Sequence, residues 1–237
     1  MLILFFVPFV IEPNMSQNLI NCCTNDILEQ LYQAEYGAHY LLVYPDLKTL
    51  REIYPKYVNP QLQDNNELII ILTYYDPPDN IRKILSGQFD AMIKDSPNDN
   101  NNAIDVIRKY ENEGSLIIMD SLKGYFGLEG NKLRPDKDGI IAFLEQLTKR
   151  AESTGKNSVS VFADIGSFYH HVTSNDTNSP ADKLVQYELS LPSKYNVKIK
   201  GFCIYNKADF EKRITEEQKQ KLLNHHGKAL MIENQNM

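Results

Sequence analysis

The sequence predicts an α/β protein, a mainly parallel sheet with helices layered on both faces. Three observations carry this. Apolar runs alternate along the chain with amphipathic segments of roughly ten to fifteen residues, the spacing of βαβ units. Two of those runs, AHYLLVY at 38–44 and ELIIILTYY at 67–75, are continuously apolar, as strands covered on both faces must be. The 237 residues suffice for one domain that buries most of its unfolded surface without a staple.

Taken in order, Thr24 is placed to cap a helix reaching to 36, with Ile27, Leu28, Leu31 and Tyr32 on one face and Gly37 as its stop. The strand at 38–44 follows. Pro45 and Asp46 turn into a helix, LKTLREIYPKYV, which Pro55 and Pro60 are expected to kink or end, since proline lacks the N–H and crowds the preceding turn. The run at 67–75 is the strongest strand pattern, and Pro77 and Pro78 open the next helix. SPNDNNN at 96–102 reads as a surface loop within one domain. Beyond it come a helix around 104–111, a strand at 115–120 and a Gly-rich loop over 121–134. Then follow a helix at about 138–152, a strand at 158–164, and a segment from 169 that starts as a helix and frays into a polar loop by 179. From 181 the chain reads as an amphipathic helix, a basic turn, the strand GFCIY at 201–205, a charged helix, a His pair and a last apolar run. No internal repeat is visible.

The formal charge of −6 argues against direct nucleic-acid binding, which needs clustered Lys and Arg to neutralise phosphate. The basic stretch at 194–200 reads as a solvated turn. Three Cys, two of them adjacent at Cys22 and Cys23, form neither a disulfide framework nor a C-x-x-C zinc spacing, and suit a reducing cytoplasm. The opening MLILFFVPFVI has no positive n-region or small-residue cleavage site, and it is too short to span a bilayer. The favoured reading of residues 1–14 is a mis-called start ahead of Met15; a short membrane-associated tail is the alternative. Residues 15–237 are read as a single domain.

Nucleotide hydrolysis on such a sheet needs a G-x-x-x-x-G-K-[ST] loop, whose backbone N–H groups and Lys cradle the phosphates. The sequence contains none. PDLKTL at 45–50 has a Lys–Thr pair but no glycine, and its acidic start would repel a triphosphate. LIIMD at 116–120 looks like a Walker B strand, yet without the phosphate loop Asp120 reads as a relic or a structural residue. Ligands of parallel sheets gather at the C-terminal strand ends. Tyr44, Asp46, Tyr74, Tyr75, Asp76, Asp120, Asp164 and Tyr205 fall there, an edge suited to a small polar or amphipathic molecule. His39 with Cys203 makes only half of a tetrahedral metal site, so no metal is expected. The adjacent pairs His170–His171 and His225–His226 point their rings apart, and each offers at most one ligand. No G-x-S-x-G elbow argues for a hydrolase.

The C-terminal run carries a resemblance. A helix holding the pair Tyr187–Glu188, the strand Cys203–Ile204–Tyr205–Asn206, a helix, and a final strand opening near a His are similar to the end of the MEDS domain, a sensory module of methanogens and methylotrophs. That family's pattern is a YE pair, an hCxYD strand, a helix and an H-x-x-h-I-type strand; Asn206 stands where Asp is usual. Upstream, His39 and Tyr44 match its first strand, and SVFAD at 160–164 resembles its R-h-x-G-D-h strand, with Ala163 in place of Gly. The resemblance implies a degenerate RecA/KaiC-like three-layer α/β/α fold without a Walker A loop. It also implies a non-enzymatic cytoplasmic sensory or signalling role, with a small organic ligand, no cofactor and no membrane span. The output would come through a separate signalling or transcription-regulating partner, with self-association as a further expectation. The ligand site it implies comprises His39, Tyr44, Asp164, Glu188, Cys203 and Tyr205. The rival expectation is a pseudo-ATPase interaction protein that pairs with a RecA/KaiC-type subunit.

Overall fold

The computed structural model describes residues 19–64, 66–94, 103–126, 137–170 and 179–233. The expectations for residues 1–14 and for the loop at 96–102 lie outside them. Seven strands form one sheet: β1 (Ile20–Cys22), β2 (His39–Tyr44), β3 (Leu68–Thr73), β4 (Leu116–Asp120), β5 (Val159–Asp164), β6 (Ile199–Asn206) and β7 (Lys228–Ile232). Their order is β1-β7-β2-β6-β5-β3-β4, and every pairing is parallel. Parallel neighbours need crossovers, and the helices supply them on both faces.

One face is covered by α1 (Thr24–Tyr32), α2 (Leu47–Gln63), α3 (Pro78–Lys94) and α4 (Ala103–Asn112). The other is covered by α5 (Ser121–Phe126), α6 (Lys137–Ser153), α7 (Gly166–His170), α8 (Pro180–Ser190), α9 (Lys207–Arg213) and α10 (Glu216–His225). Side-chain parity sorts each strand between the two cores. In β2, Leu42 and Tyr44 join the first core while Leu41 and Val43 join the second; in β6, Phe202 and Ile204 lie on the first side and Cys203 and Tyr205 on the second. This is the three-layer α/β/α arrangement that the sequence predicts.

Several local expectations are corrected. Helix α2 runs unbroken through Pro55 and Pro60 to Gln63. Pro60 has no N–H to give the Lys56 carbonyl one turn back, and the Tyr32 hydroxyl of α1 donates to that carbonyl instead. A tertiary partner thus replaces the missing helical one, and the helix continues. The segment after β4 is not loop at its start: Ser121–Phe126 is helical, and Asp120 Oδ1 accepts from the Leu122 N–H at 2.8 Å. Asp120 therefore has a capping role. Strand β4 is also the sheet edge, with β6, β5 and β3 between it and β2, so Asp120 shares no site with the start of α2.

Lys200 is no solvated turn residue. It is buried in β6, where its ammonium donates to Glu67 Oε1 at 2.8 Å. Ser160 donates to the other oxygen of Glu67 at 2.6 Å and meets the Tyr57 hydroxyl at 2.9 Å. Strand β1 has no counterpart in the sequence pattern; it pairs with β7 through Ile20, Asn21 and Cys22. Among the described residues no helix is long and apolar enough to cross a membrane.

Candidate functional site

The start of β2 is tied to both neighbouring strands by glycine amides. The Gly201 N–H donates to the Ala38 carbonyl at 2.8 Å, and the Gly227 N–H donates to the His39 carbonyl at 2.8 Å. Gly201 is also the register partner of His39, and a Cβ there would lie 2.9 Å from the Tyr195 ring. Its absence lets Tyr195 pack against the imidazole of His39, with ring centroids 5.1 Å apart. By parity, His39 and Cys203 project on the α8 side of the sheet. Helix α8 starts with a Ser179 and Asp182 capping box and carries Glu188 in its last turn. His226 is the C-cap of α10 and leads directly into β7.

Four donor atoms from these elements converge. Cys203 Sγ lies 3.2 Å from His39 Nε2 and 3.5 Å from Glu188 Oε2. Glu188 Oε2 lies 3.6 Å from His39 Nε2 and 3.3 Å from His226 Nε2. All four ligand-type atoms fall within 4.8 Å of one another, and His39, Glu188, Cys203 and His226 are all buried. The orientation of both imidazoles is set from behind. His39 Nδ1 bonds the Pro192 carbonyl at 3.1 Å, and His226 Nδ1 bonds the Leu222 carbonyl at 2.8 Å. A carbonyl only accepts, so both Nδ1 atoms carry the proton, and each neutral ring turns a lone pair at Nε2 into the cluster.

The electrostatics are lopsided. Burial pushes the Glu188 carboxyl up, but the His226 and His39 imidazoles outweigh it and hold the group below the usual carboxylate range. Burial lowers His39, partly countered by Glu188. Burial and the Glu188 charge push the Cys203 thiol far up. With the rings neutral, the thiol proton is the one donor that the four groups can share.

Beside the cluster, a cavity of about 50 Å3 opens under α8. Its wall is largely apolar, built from residues such as Leu72, Val161, Ala163 and Leu191, with Tyr125, Tyr187 and Tyr195. Glu188 and Cys203 belong to the same wall. Glu188 Oε1 has no hydrogen-bond partner among the described residues.

The six residues of the expected site are divided. His39, Glu188 and Cys203 come together. Tyr205 shares their face, two residues farther along β6, with its hydroxyl buried and without a partner among the described residues. Tyr44 points into the opposite core. Asp164 ends β5, where its carboxylate accepts from the N–H groups of Gly166 at 2.9 Å, Tyr74 at 3.1 Å and Tyr75 at 3.4 Å. Tyr75 in turn donates to Asp209, which also accepts from Arg213 Nε at 2.7 Å. Much of the expected C-terminal edge is therefore satisfied by mutual bonds. At the start of α2, Asp46 accepts from the Thr49 N–H at 2.8 Å, so a carboxylate occupies the helix end where a phosphate would need free amides. Asn206, the departure from the family pattern, caps α9 by accepting from the Ala208 N–H at 3.0 Å.

His226 is the member of the cluster that sequence reasoning does not single out. Its signal is the His that opens the last strand of the MEDS pattern. No protein-family model matches the sequence, and no curated protein matches it. Among solved structures, a helicase ATPase domain is similar at 12% identity, covering 91% of this chain and 77% of that one with a TM-score of 0.49.

Proposed function

We infer that the protein is a non-hydrolysing sensory or signalling module of the cytoplasm that binds a small organic molecule and acts through a separate partner. The observation that carries this is the cavity under α8, apolar over most of its wall and bordered by Cys203 and by Glu188 with its unmatched Oε1. At about 10–15 Å3 per water-sized group, about 50 Å3 has room for roughly four such groups. That suits a compact, mostly apolar molecule with one polar end. The resemblance to MEDS domains points the same way, and the acidic cap at Asp46 argues against a bound triphosphate.

Native mass spectrometry of the chain purified from its own host tests this directly, by detecting a retained small molecule. Thermal shift with benzene and small alcohols is the second measurement, because a molecule that binds only the folded form raises Tm by mass action. Ala163→Leu, which fills the cavity from β5, should abolish the shift while changing the unliganded Tm little. Absence of any retained molecule and of any shift would turn the reading over to the pseudo-ATPase interaction protein.

A further inference from the structure

We propose that His39, Glu188, Cys203 and His226 are the four ligands of a single divalent cation of the zinc class. This goes beyond the ligand-binding reading and does not need the cavity to have an occupant. Geometry is the first argument. Bonds of about 2.0–2.3 Å from nitrogen, oxygen and sulfur at tetrahedral angles separate neighbouring donors by roughly 3.3–3.6 Å. The observed edges of the cluster are 3.2 Å, 3.3 Å, 3.5 Å and 3.6 Å. Side-chain packing alone has no reason to reproduce those edges with four ligand-type atoms.

The second argument is the setting of the ligands. Each imidazole donates through Nδ1 to a backbone carbonyl, Pro192 for one and Leu222 for the other, which leaves Nε2 as the ligating atom. Charge supplies the third argument. Two neutral imidazoles, a carboxylate and a thiolate carry two negative charges, so a dication makes the buried centre neutral overall. That removes the cost of enclosing unbalanced charge away from water. On binding, the Cys203 thiol gives up its proton to solvent and the sulfur lone pair goes to the metal; no redox change is involved. Four buried protein ligands describe a closed site, filled as the chain folds. The ion would pin β2, β6, β7 and α8 at one point, beside the cavity wall.

The test uses the full chain. Metal analysis of protein refolded with Zn2+ should find one ion per chain, and refolding with chelator instead should lower Tm. Refolding with Co2+ should produce a sulfur-to-cobalt charge-transfer band and the visible absorption of tetrahedral cobalt. Cys203→Ser should lose the charge-transfer band, whereas the double variant Cys22→Ser, Cys23→Ser should keep it, because that pair lies at β1 and the start of α1. The wild-type spectrum decides the matter even if the Cys203 variant fails to fold. A folded wild type that takes up neither Zn2+ nor Co2+ overturns the proposal and leaves a hydrogen-bonded network. A band that survives in Cys203→Ser, or is lost with Cys22 and Cys23, overturns the ligand assignment.

Discussion

Asp164 illustrates how one buried group can make stability depend on pH. Burial raises its carboxyl to about 6 from an ordinary 3.8, against three backbone N–H groups that favour the charged form. Between those values the folded chain holds a proton that the unfolded chain has released. The stability this residue contributes is therefore complete below about pH 4 and lost as pH rises through about 6. Asp164→Asn should flatten that part of a Tm-against-pH profile; an unchanged slope would place the proton elsewhere. Part of the residue-scale arrangement is readable from sequence. His39 and Tyr44 differ in parity within one strand, so an alternating side-chain pattern already assigns them to opposite faces. Cys203 and Tyr205 share parity in the same way. His226 is harder, because a C-cap follows neither helical nor strand periodicity, and which of two adjacent His rings turns inward depends on the Leu222 carbonyl.

At the scale of elements, α2 shows tertiary structure overriding a local rule. Its second proline frees the Lys56 carbonyl, and α1 supplies the donor through Tyr32. Tyr32→Phe should cost about 1 kcal/mol in the wild type. In a Pro60→Ala background the restored backbone N–H takes over, so the same change should cost less; a double-mutant cycle by urea denaturation reads the coupling. Equal costs in both backgrounds would show that the hydroxyl does nothing for the helix. The longer strands and the other helices are legible because apolar runs and caps repeat their signal over many residues. Strand β1 is three residues long and its burial does not alternate, so nothing in its composition announces it. Lys200 misleads for a different reason: its position in a basic stretch suggests solvent, while its partner Glu67 lies far off in sequence at the start of β3. Lys200→Met should cost about 3–5 kcal/mol by stranding the Glu67 carboxylate. Lys200→Met with Glu67→Leu should recover much of that loss, as judged by chemical denaturation.

For the molecule as a whole, the missing glycine loop and the carboxylate cap on α2 predict no micromolar binding of Mg·ATP by calorimetry. Measurable binding would mean that a phosphate site exists outside 45–50. The layered α/β plan is open to sequence reasoning because each helix and strand carries its own period; the strand order is not, since it depends on pairings between distant segments. That order has a consequence for synthesis. Strand β2 is made early, yet both of its neighbours, β6 and β7, are among the last segments to leave the ribosome. The middle of the sheet must wait with its hydrogen-bonding edges open, a topology expected to be slow and to present sticky intermediates. Nascent chains arrested before residue 199 should stay protease-sensitive through β2, and protection of that strand should arrive only with the C-terminal segments. Protection appearing earlier would mean that β2 finds a temporary companion on the way, such as a chaperone.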